Sequence, residues 1–143
     1  MIEEMPDDEV EEFMHRRVVG RVGCHLDGLT YVVPVIFAWE AGAAYVYSTE
    51  GQKVTMMRGN PRVCFEVDEY EAGGGWRSVI VQGVYEELVG DDAAAALQLL
   101  TDRLATPSRA TNDQGQRGEG KVPVAFRVRA EAVTGRKVIR PLP

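Results

Sequence analysis

Two hydroxyl side chains, a glycine and a lysine occur together in the segment YSTEGQK, just after a predicted strand. The four residues are Ser48, Thr49, Gly51 and Lys53. A helix-compatible run begins at Lys53, so hydroxyls, helix N-terminal N–H groups and a lysine charge together favour a bound anion such as a phosphate. On spacing alone, a structural role is favoured, in which Ser48 or Thr49 caps the helix and Lys53 is solvated. The residues alone leave both interpretations open.

A proline interrupts the most apolar run of the sequence, LTYVVPVIFAW, which we predict to be one long strand over residues 29–39. Pro34 has no N–H to donate to a sheet ladder, so we expect strand pairing to be interrupted beside it. Backbone N–H groups next to Pro34 would then be available to a ligand. A position on an edge strand would also accommodate this proline.

Other side chains capable of chemistry lack the partners that common reactions require. No motif couples His15 or His25 to a serine or a cysteine, and Cys24 and His25 point to opposite faces of a strand because they are adjacent. No paired Cys or His spacing is present, so we predict no metal site. We expect Cys24 and Cys64 to be buried thiols rather than a disulfide. The acidic run of Glu66, Asp68, Glu69 and Glu71 is interpreted as a solvated strand end and loop.

The composition is ordinary for a soluble globular protein and disfavours several classes of partner. The 143 residues are 45% hydrophobic and 27% charged, with a net charge of −6. Without a basic block, nothing would displace the counterions of a nucleic acid, so we predict no nucleic-acid partner. We also predict no membrane partner, because no apolar run approaches the ~20 residues of a spanning helix. The acidic N-terminus does not resemble a signal peptide, so we expect a cytoplasmic protein.

Hydrophobic periodicity predicts a single, mainly β domain over residues 1–143, with peripheral helices. Alternation and turn residues predict six antiparallel strands, over residues 18–25, 29–39, 44–49, 62–70, 76–89 and 121–133. Tight turns are predicted at Asp27-Gly28 and at Ala41-Gly42. Longer helices are predicted over residues 8–17, capped by Asp8, and 91–104. The polar segment 105–120 is predicted to be a mobile loop or lid, and the tail after residue 133 to be irregular. Six strands with short connections favour a small β-barrel.

Five motifs occur in an order that resembles a known family: GRV, DGLTYVVPV, YSTEGQK, NPRVCFEVD and WRSVIVQG. They are similar to those of the pyridoxamine 5′-phosphate oxidase-like family of FMN-binding split barrels. The resemblance is strongest to the branch that includes the nitroimidazole-resistance reductases, and it extends over residues 10–104. It implies a six-stranded antiparallel split barrel that forms a homodimer, with FMN in a cleft between the two subunits.

The resemblance also implies roles for particular residues. The isoalloxazine ring would lie along Val33, Pro34, Val35 and Ile36. The phosphate would be held by Ser48, Thr49 and Lys53, with Gly51 allowing the backbone to come close. The cofactor would be approached, from the same subunit or from the partner, by Trp76, Arg77, Ser78 and Val79.

Three departures from the family pattern limit what the resemblance implies. Tyr47 stands where nitroimidazole reductases often place a histidine, so we do not predict nitroimidazole reduction. Glu50 puts a negative charge beside the predicted phosphate site, which weakens that site unless the carboxylate points to solvent or caps the helix. No basic motif for a substrate phosphate is evident near the C-terminus, so vitamin B6 oxidation is a minority interpretation.

The favoured hypothesis is an FMN-dependent oxidoreductase that acts on a small-molecule substrate. The flavin would supply the chemistry, so the sequence names no catalytic residue. A second hypothesis keeps the fold with a deazaflavin or haem; the acidic tail of a deazaflavin should need further cations, for which Arg58 and Arg62 are the nearby candidates. The third hypothesis is a flavin-binding module without turnover, and the fourth is a degenerate barrel with an empty site.

Overall fold

The computed structural model describes residues 1–104 and 121–140, which contain three helices and eight strands. The helices are α1 (Asp7–Arg16), α2 (Gln52–Gly59) and α3 (Gly90–Leu104). The strands are β1 (Glu3–Glu4), β2 (Val19–Leu26), β3 (Leu29–Ile36), β4 (Ala38–Glu40), β5 (Ala43–Thr49), β6 (Arg62–Tyr70), β7 (Trp76–Leu88) and β8 (Pro123–Val138). The predicted mainly β antiparallel fold is therefore confirmed, with short strands β1 and β4 in addition to the six predicted.

One antiparallel sheet curls into a barrel that stays open along one line. Its strand order is β3-β2-β6-β7-β8-β5-β4, and β1 pairs with β8. The two edges, β3 and β4, are consecutive in the chain and are separated only by Phe37. Within the described residues, β3 contacts β5 but does not pair with it. We call this unpaired boundary between β3 and β5 the split.

The two predicted tight turns are confirmed by their backbone angles. Asp27 and Gly28 have φ angles of 50° and 82°, and Ala41 and Gly42 have φ angles of 48° and 75°. Two consecutive left-handed residues match the twist of a two-residue hairpin. These turns fix the register of β3 on β2 and of β5 on β4, and they thereby set the positions of both sides of the split.

The core lies inside the barrel, where alternate residues of each strand are buried. Apolar side chains with 1% exposure or less fill it from five of the strands: Val22, Val46, Phe65, Val67, Val79, Val81, Phe126 and Val128. Helix α1 covers one end of the barrel through Val10, Phe13 and Met14. Helix α2 contacts β2, and α3 packs outside β5 and β8. Burial of these side chains holds the strands on either side of the split in fixed positions.

The predicted strand over residues 29–39 is wrong at its end, because Phe37 divides it into β3 and β4. The Phe37 N–H donates to the carbonyl of Val18 at 3.0 Å. Its ring packs edge-on against Phe65, with 5.0 Å between centroids. The chain therefore turns at a buried aromatic anchor.

Two further predictions about element ends are wrong. The last strand continues to Val138 instead of stopping at residue 133, because β8 pairs with β7 as far as Trp76. Asp8 does not cap α1, since the N-cap residue is Pro6 and no side-chain hydrogen bond caps the helix. The loop predicted over 105–120 lies outside the described residues.

Candidate functional site

The turn between β5 and α2 concentrates the buried polar side chains. Among residues 1–104 and 121–140, the buried polar or charged residues are Ser48, Thr49 and Lys53, with exposures of 3%, 1% and 2%. Burying such groups is costly, so a fold that gathers three of them in one turn favours a polar function there. We call Ser48, Thr49, Gly51 and Lys53 the hydroxyl–lysine turn.

The structural interpretation of this turn is wrong on both points. The N-cap residue of α2 is Gly51, in an extended conformation, so neither Ser48 nor Thr49 occupies the capping position. Lys53 is not solvated, because it is buried in the first turn of α2. The first N–H groups of a helix have no intrahelical acceptor. The turn therefore places those donors, a cation and two hydroxyls within one short segment.

Glu50 does not place an uncompensated charge beside the turn. Its carboxylate accepts hydrogen bonds from both Nη atoms of Arg58, at 2.7 and 2.8 Å. Arg58 also donates to Glu87 on β7, through Nε at 2.7 Å. The negative charge of Glu50 is therefore compensated by an ion pair that the sequence did not reveal.

The expected interruption of pairing at Pro34 is wrong. Pro34 stays in register with Arg21 of β2, because β3 is an edge strand. The Phe37 N–H points to β2, and hydrogen-bonding directions alternate along a strand, so Val33 and Val35 direct their N–H groups to β2 as well. Their side chains are buried, with exposures of 6% and 8%. Residues 34 and 36 thus present their backbone to the split.

The register of β4 on β5 indicates which residues face each other across the split. Ala38 pairs with Tyr45. The same register continued along β3 would bring Ile36 opposite Tyr47 and Pro34 opposite Thr49. The contact between β3 and β5 agrees with this arrangement. On this register, two of the three predicted groups of site residues would lie next to each other at the split.

The third predicted group lies elsewhere on the barrel. Trp76, Arg77, Ser78 and Val79 belong to β7, which is two strands from β5 and three from β3 in the sheet order. Val79 is fully buried in the core. The Arg77 guanidinium is paired with Glu71 and lies 3.7 Å from Glu9 of α1. A role for this group at the cofactor stays a prediction.

The convex side of the sheet carries a second candidate region, which we call the outer face. It contains a cavity of about 730 Å³ lined by Arg21, Gly23, Cys24, His25, Thr30, Val32, Arg62, Val63, Cys64, Glu66, Asp68, Gln82, Gly83 and Glu131. Val32, on the edge strand, is 60% exposed. Cys24 and Cys64 are both thiols and not a disulfide, as predicted; Cys24 is buried and Cys64 is half-buried.

Two carboxylates of the outer face share one cation. Nη1 of Arg21 donates to Glu66 at 3.1 Å and to Asp68 at 2.8 Å. Burial and the neighbouring Asp68 raise the pKa of Glu66 to about 7, although Arg21 opposes the shift. The acidic run is partly exposed to solvent, as predicted, but its carboxylates are also paired with arginines, since Glu69 likewise pairs with Arg16. Strand alternation in the sequence could have predicted that residues 64, 66 and 68 share one face of β6. It could not have predicted that Arg21 lies beside them.

Neither a metal-binding cluster nor a membrane-spanning helix occurs in the described ranges. No group of three or more His, Cys, Asp or Glu residues in residues 1–104 and 121–140 could hold a metal ion. No helix in this described part of the chain has both the length and the apolar character needed to cross a bilayer.

The donor set of the hydroxyl–lysine turn fits a phosphate group. A buried lysine supplies a localised positive charge, and two hydroxyls beside a helix N-terminus supply neutral donors. The β3 side of the split carries the apolar residues Val33, Pro34, Val35 and Ile36, and apolar residues suit a planar ring. The residues present therefore fit a phosphorylated ring cofactor.

Comparison with known proteins gives a family and several related structures. The sequence model of the pyridoxamine 5′-phosphate oxidase family matches residues 6–137. The crystal structure of an FAD-binding protein from Mesorhizobium loti is 32% identical, with a TM-score of 0.74 over 98% of both chains. A candidate 5-nitroimidazole antibiotic resistance protein from Bacteroides thetaiotaomicron is 20% identical and shares the fold, with a TM-score of 0.79 over 96% of this chain and 87% of that one.

A curated relative from Rhizobium meliloti (strain 1021), an uncharacterized protein, is 37% identical over 70 residues. That match spans about half of each protein, 49% of this chain and 46% of the relative. The family match covers most of the present chain and the related structures share its barrel. This protein is thus a member of the pyridoxamine 5′-phosphate oxidase family.

Proposed function

We propose that the protein binds FMN at the split and acts as a flavin-dependent oxidoreductase on a small-molecule substrate. One observation carries this proposal: in the described residues, the buried polar side chains all belong to the hydroxyl–lysine turn. The relative from Mesorhizobium loti, which is FAD-binding, supports a flavin as the ligand. The family match supports the same class of cofactor.

Residues of the turn would bind the phosphate of FMN, and residues of β3 would contact its ring. Lys53 would neutralise the phosphate, and Ser48 and Thr49 would donate to its oxygens. The backbone at Ile36, with its N–H at the free edge of β3, would orient the ring, and Pro34 would keep that edge unpaired. The bound flavin supplies hydride and electron transfer, while the protein supplies binding and orientation.

We also propose that the outer face is covered by a second copy of the chain. Four apolar side chains on this face are 41–60% exposed: Val19, Val32, Ile36 and Ile80. Trp76 and Ser78 lie on the same face, since they share strand parity with Ile80. A partner seated here would have its own split beside Trp76 and Ser78, as a shared cofactor cleft requires.

Location in the cytoplasm, and the absence of nucleic-acid and membrane partners, stay predictions.

The ion pairs of Arg58 and Arg62 favour FMN over a deazaflavin, because the acidic tail of a deazaflavin would need additional cations. The two additional cations that such a tail would need, Arg58 and Arg62, are both paired with carboxylates. FAD is the second candidate, because the Mesorhizobium loti relative is FAD-binding.

The visible spectrum of the purified protein tests the proposal. We expect titration with FMN to give saturable quenching of flavin fluorescence, and the bound flavin to bleach with a reductant and recover with an acceptor. Tighter binding of FAD would change the cofactor but keep the function. Bound flavin that transfers no electrons to any acceptor would indicate a storage or sensing module. Absence of binding to FMN and FAD, or a haem band, would contradict the proposal.

A further inference from the structure

Arg58 holds the carboxylate that stands closest in sequence to the hydroxyl–lysine turn. Glu50 lies between Thr49 and Gly51, so its charge belongs to the immediate surroundings of the proposed phosphate site. A phosphate and a carboxylate repel each other, and an unpaired Glu50 would therefore weaken binding. What happens to this carboxylate matters for the affinity of the site.

The geometry fixes Glu50 firmly on the solvent side of α2. Nη1 and Nη2 of Arg58 donate to its two carboxylate oxygens at 2.8 and 2.7 Å, which is a bidentate pair. The side chains of Arg58 and Glu50 are 41% and 37% exposed, whereas Lys53 is 2% exposed. The carboxylate is thus held at the surface, while the lysine charge is buried.

A second carboxylate holds the guanidinium itself in place. Glu87 of β7 accepts from Nε of Arg58 at 2.7 Å and from Nη2 at 3.0 Å, and it also accepts from the Tyr85 hydroxyl at 2.7 Å. The hydrogen bond from Arg58 lowers the pKa of Glu87, so this partner stays ionised. Arg58 is therefore oriented from the barrel wall, and one N–H of each Nη atom donates to Glu50.

We propose that Arg58 is a positioning residue for the flavin phosphate, which acts by compensating Glu50 and holding it away from the hydroxyl–lysine turn. This inference rests on the proposed function, because it requires a phosphate at Lys53. The hydrogen-bonded network of Tyr85, Glu87, Arg58 and Glu50 connects α2 to β7. According to this inference, the same network also increases the affinity for FMN.

A purely structural role of Arg58 would affect all flavins equally. Riboflavin has the ring of FMN without the phosphate, so comparison of the two separates the charge effect from a change of shape. The variants are Arg58→Ala, Arg58→Lys and the double variant Arg58→Ala with Glu50→Gln. Arg16→Ala is the matched control, because Arg16 is 44% exposed and pairs with Glu69 far from the turn.

We expect Arg58→Ala to weaken FMN binding about tenfold at low salt and riboflavin binding less than about twofold. Glu50→Gln in the same chain should restore FMN affinity, and Arg58→Lys should lose about threefold because it keeps the charge without the bidentate geometry. Arg16→Ala should change neither affinity. If Arg58→Ala does not fold, the comparison of FMN with riboflavin binding is made with Arg58→Lys, for which the expected effect is smaller.

Equal losses for FMN and riboflavin, or failure of Glu50→Gln to restore FMN affinity, would overturn the inference and leave Arg58 as a structural connection. FMN affinity unchanged in Arg58→Ala would also overturn it. These outcomes differ from failure of the proposed function, in which the wild-type protein binds neither flavin or binds FMN no better than riboflavin.

Discussion

Polar side chains are buried in the hydroxyl–lysine turn, whereas they are partly exposed on the outer face. In the turn, Ser48, Thr49 and Lys53 are at most 3% exposed. On the outer face, the charged side chains that form ion pairs are all more than a quarter exposed, as in the pairs of Arg21 with Glu66 and Asp68 and of Arg62 with Glu131. A surface ion pair costs little and contributes little, whereas a buried cation needs a specific environment.

This difference is the basis on which we propose two functions. The turn concentrates donors that suit one small anion. The outer face combines exposed apolar side chains with charges that are already compensated, which is typical of a surface that meets another protein. Three substitutions would separate these functions, and their expected effects decrease in the order Val32→Asp, Lys53→Met and Glu66→Gln.

The largest effect is expected from a charge placed among the exposed apolar side chains of the outer face. Val32 is 60% exposed and stands opposite Gly23 in the sheet. In a dimer that covers this face, Val32→Asp would bury a carboxylate near Glu66 and Asp68. We expect it to weaken dimerisation by about 3 kcal/mol or more. Analytical ultracentrifugation across a range of concentrations measures the change.

The matched control is Val89→Asp, since Val89 is 74% exposed and lies outside the outer face. It should leave the dimer intact. A wild-type protein that is monomeric at micromolar concentration, or a Val32→Asp protein that dimerises normally, would contradict the assignment of this face to a partner.

A smaller loss is expected when the charge of the turn is removed. Lys53→Met keeps the length of the buried side chain without its ammonium group. We expect FMN affinity to fall by about 2 kcal/mol, because a charge-assisted hydrogen bond to phosphate is lost. Arg16→Met removes an exposed charge and should have no effect. Isothermal titration that finds Lys53→Met as tight as wild type would remove Lys53 from the phosphate site.

The smallest effect concerns the pH dependence of the outer face. The pKa of Glu66 is raised from 4.5 to about 7, so the folded protein binds this proton more tightly than the unfolded chain. The protonated carboxyl therefore favours folding at low pH, and this stability is lost as pH rises through 7. Because the side chain is 30% exposed, the screened effect is about 1 kcal/mol.

Glu66→Gln should remove this part of the pH dependence. Urea unfolding at pH 5, 6, 7 and 8 would show the free energy of unfolding of the wild type falling relative to that of the variant. Parallel curves for the two proteins across this range would show that Glu66 keeps an ordinary pKa.

Features encoded by local pattern could be predicted from the sequence. Alternation indicated the main strands, and Asp27-Gly28 and Ala41-Gly42 marked their turns correctly. The hydroxyl–lysine turn was also recognisable, because its residues are close in the chain. Each of these depends on the conformational preferences of a few neighbouring residues.

Features that depend on distant partners could not be predicted. Arg21 and Glu66 are 45 residues apart, and Arg58 and Glu87 are 29 apart, so no local pattern joins them. Pro34 suggested either an interrupted ladder or an edge strand, and only the strand order decides between them. The end of β8 at Val138 is likewise set by pairing with β7.

A crystal structure of the protein with FMN tests the central claim most directly, because it locates the phosphate. We predict that the phosphate lies within hydrogen-bonding distance of the Lys53 ammonium and the Ser48 and Thr49 hydroxyls, with the ring in the split beside Pro34. A phosphate found in the outer-face cavity near Arg21 or Arg62, with the turn unchanged and Lys53 remote from the flavin, would contradict the account.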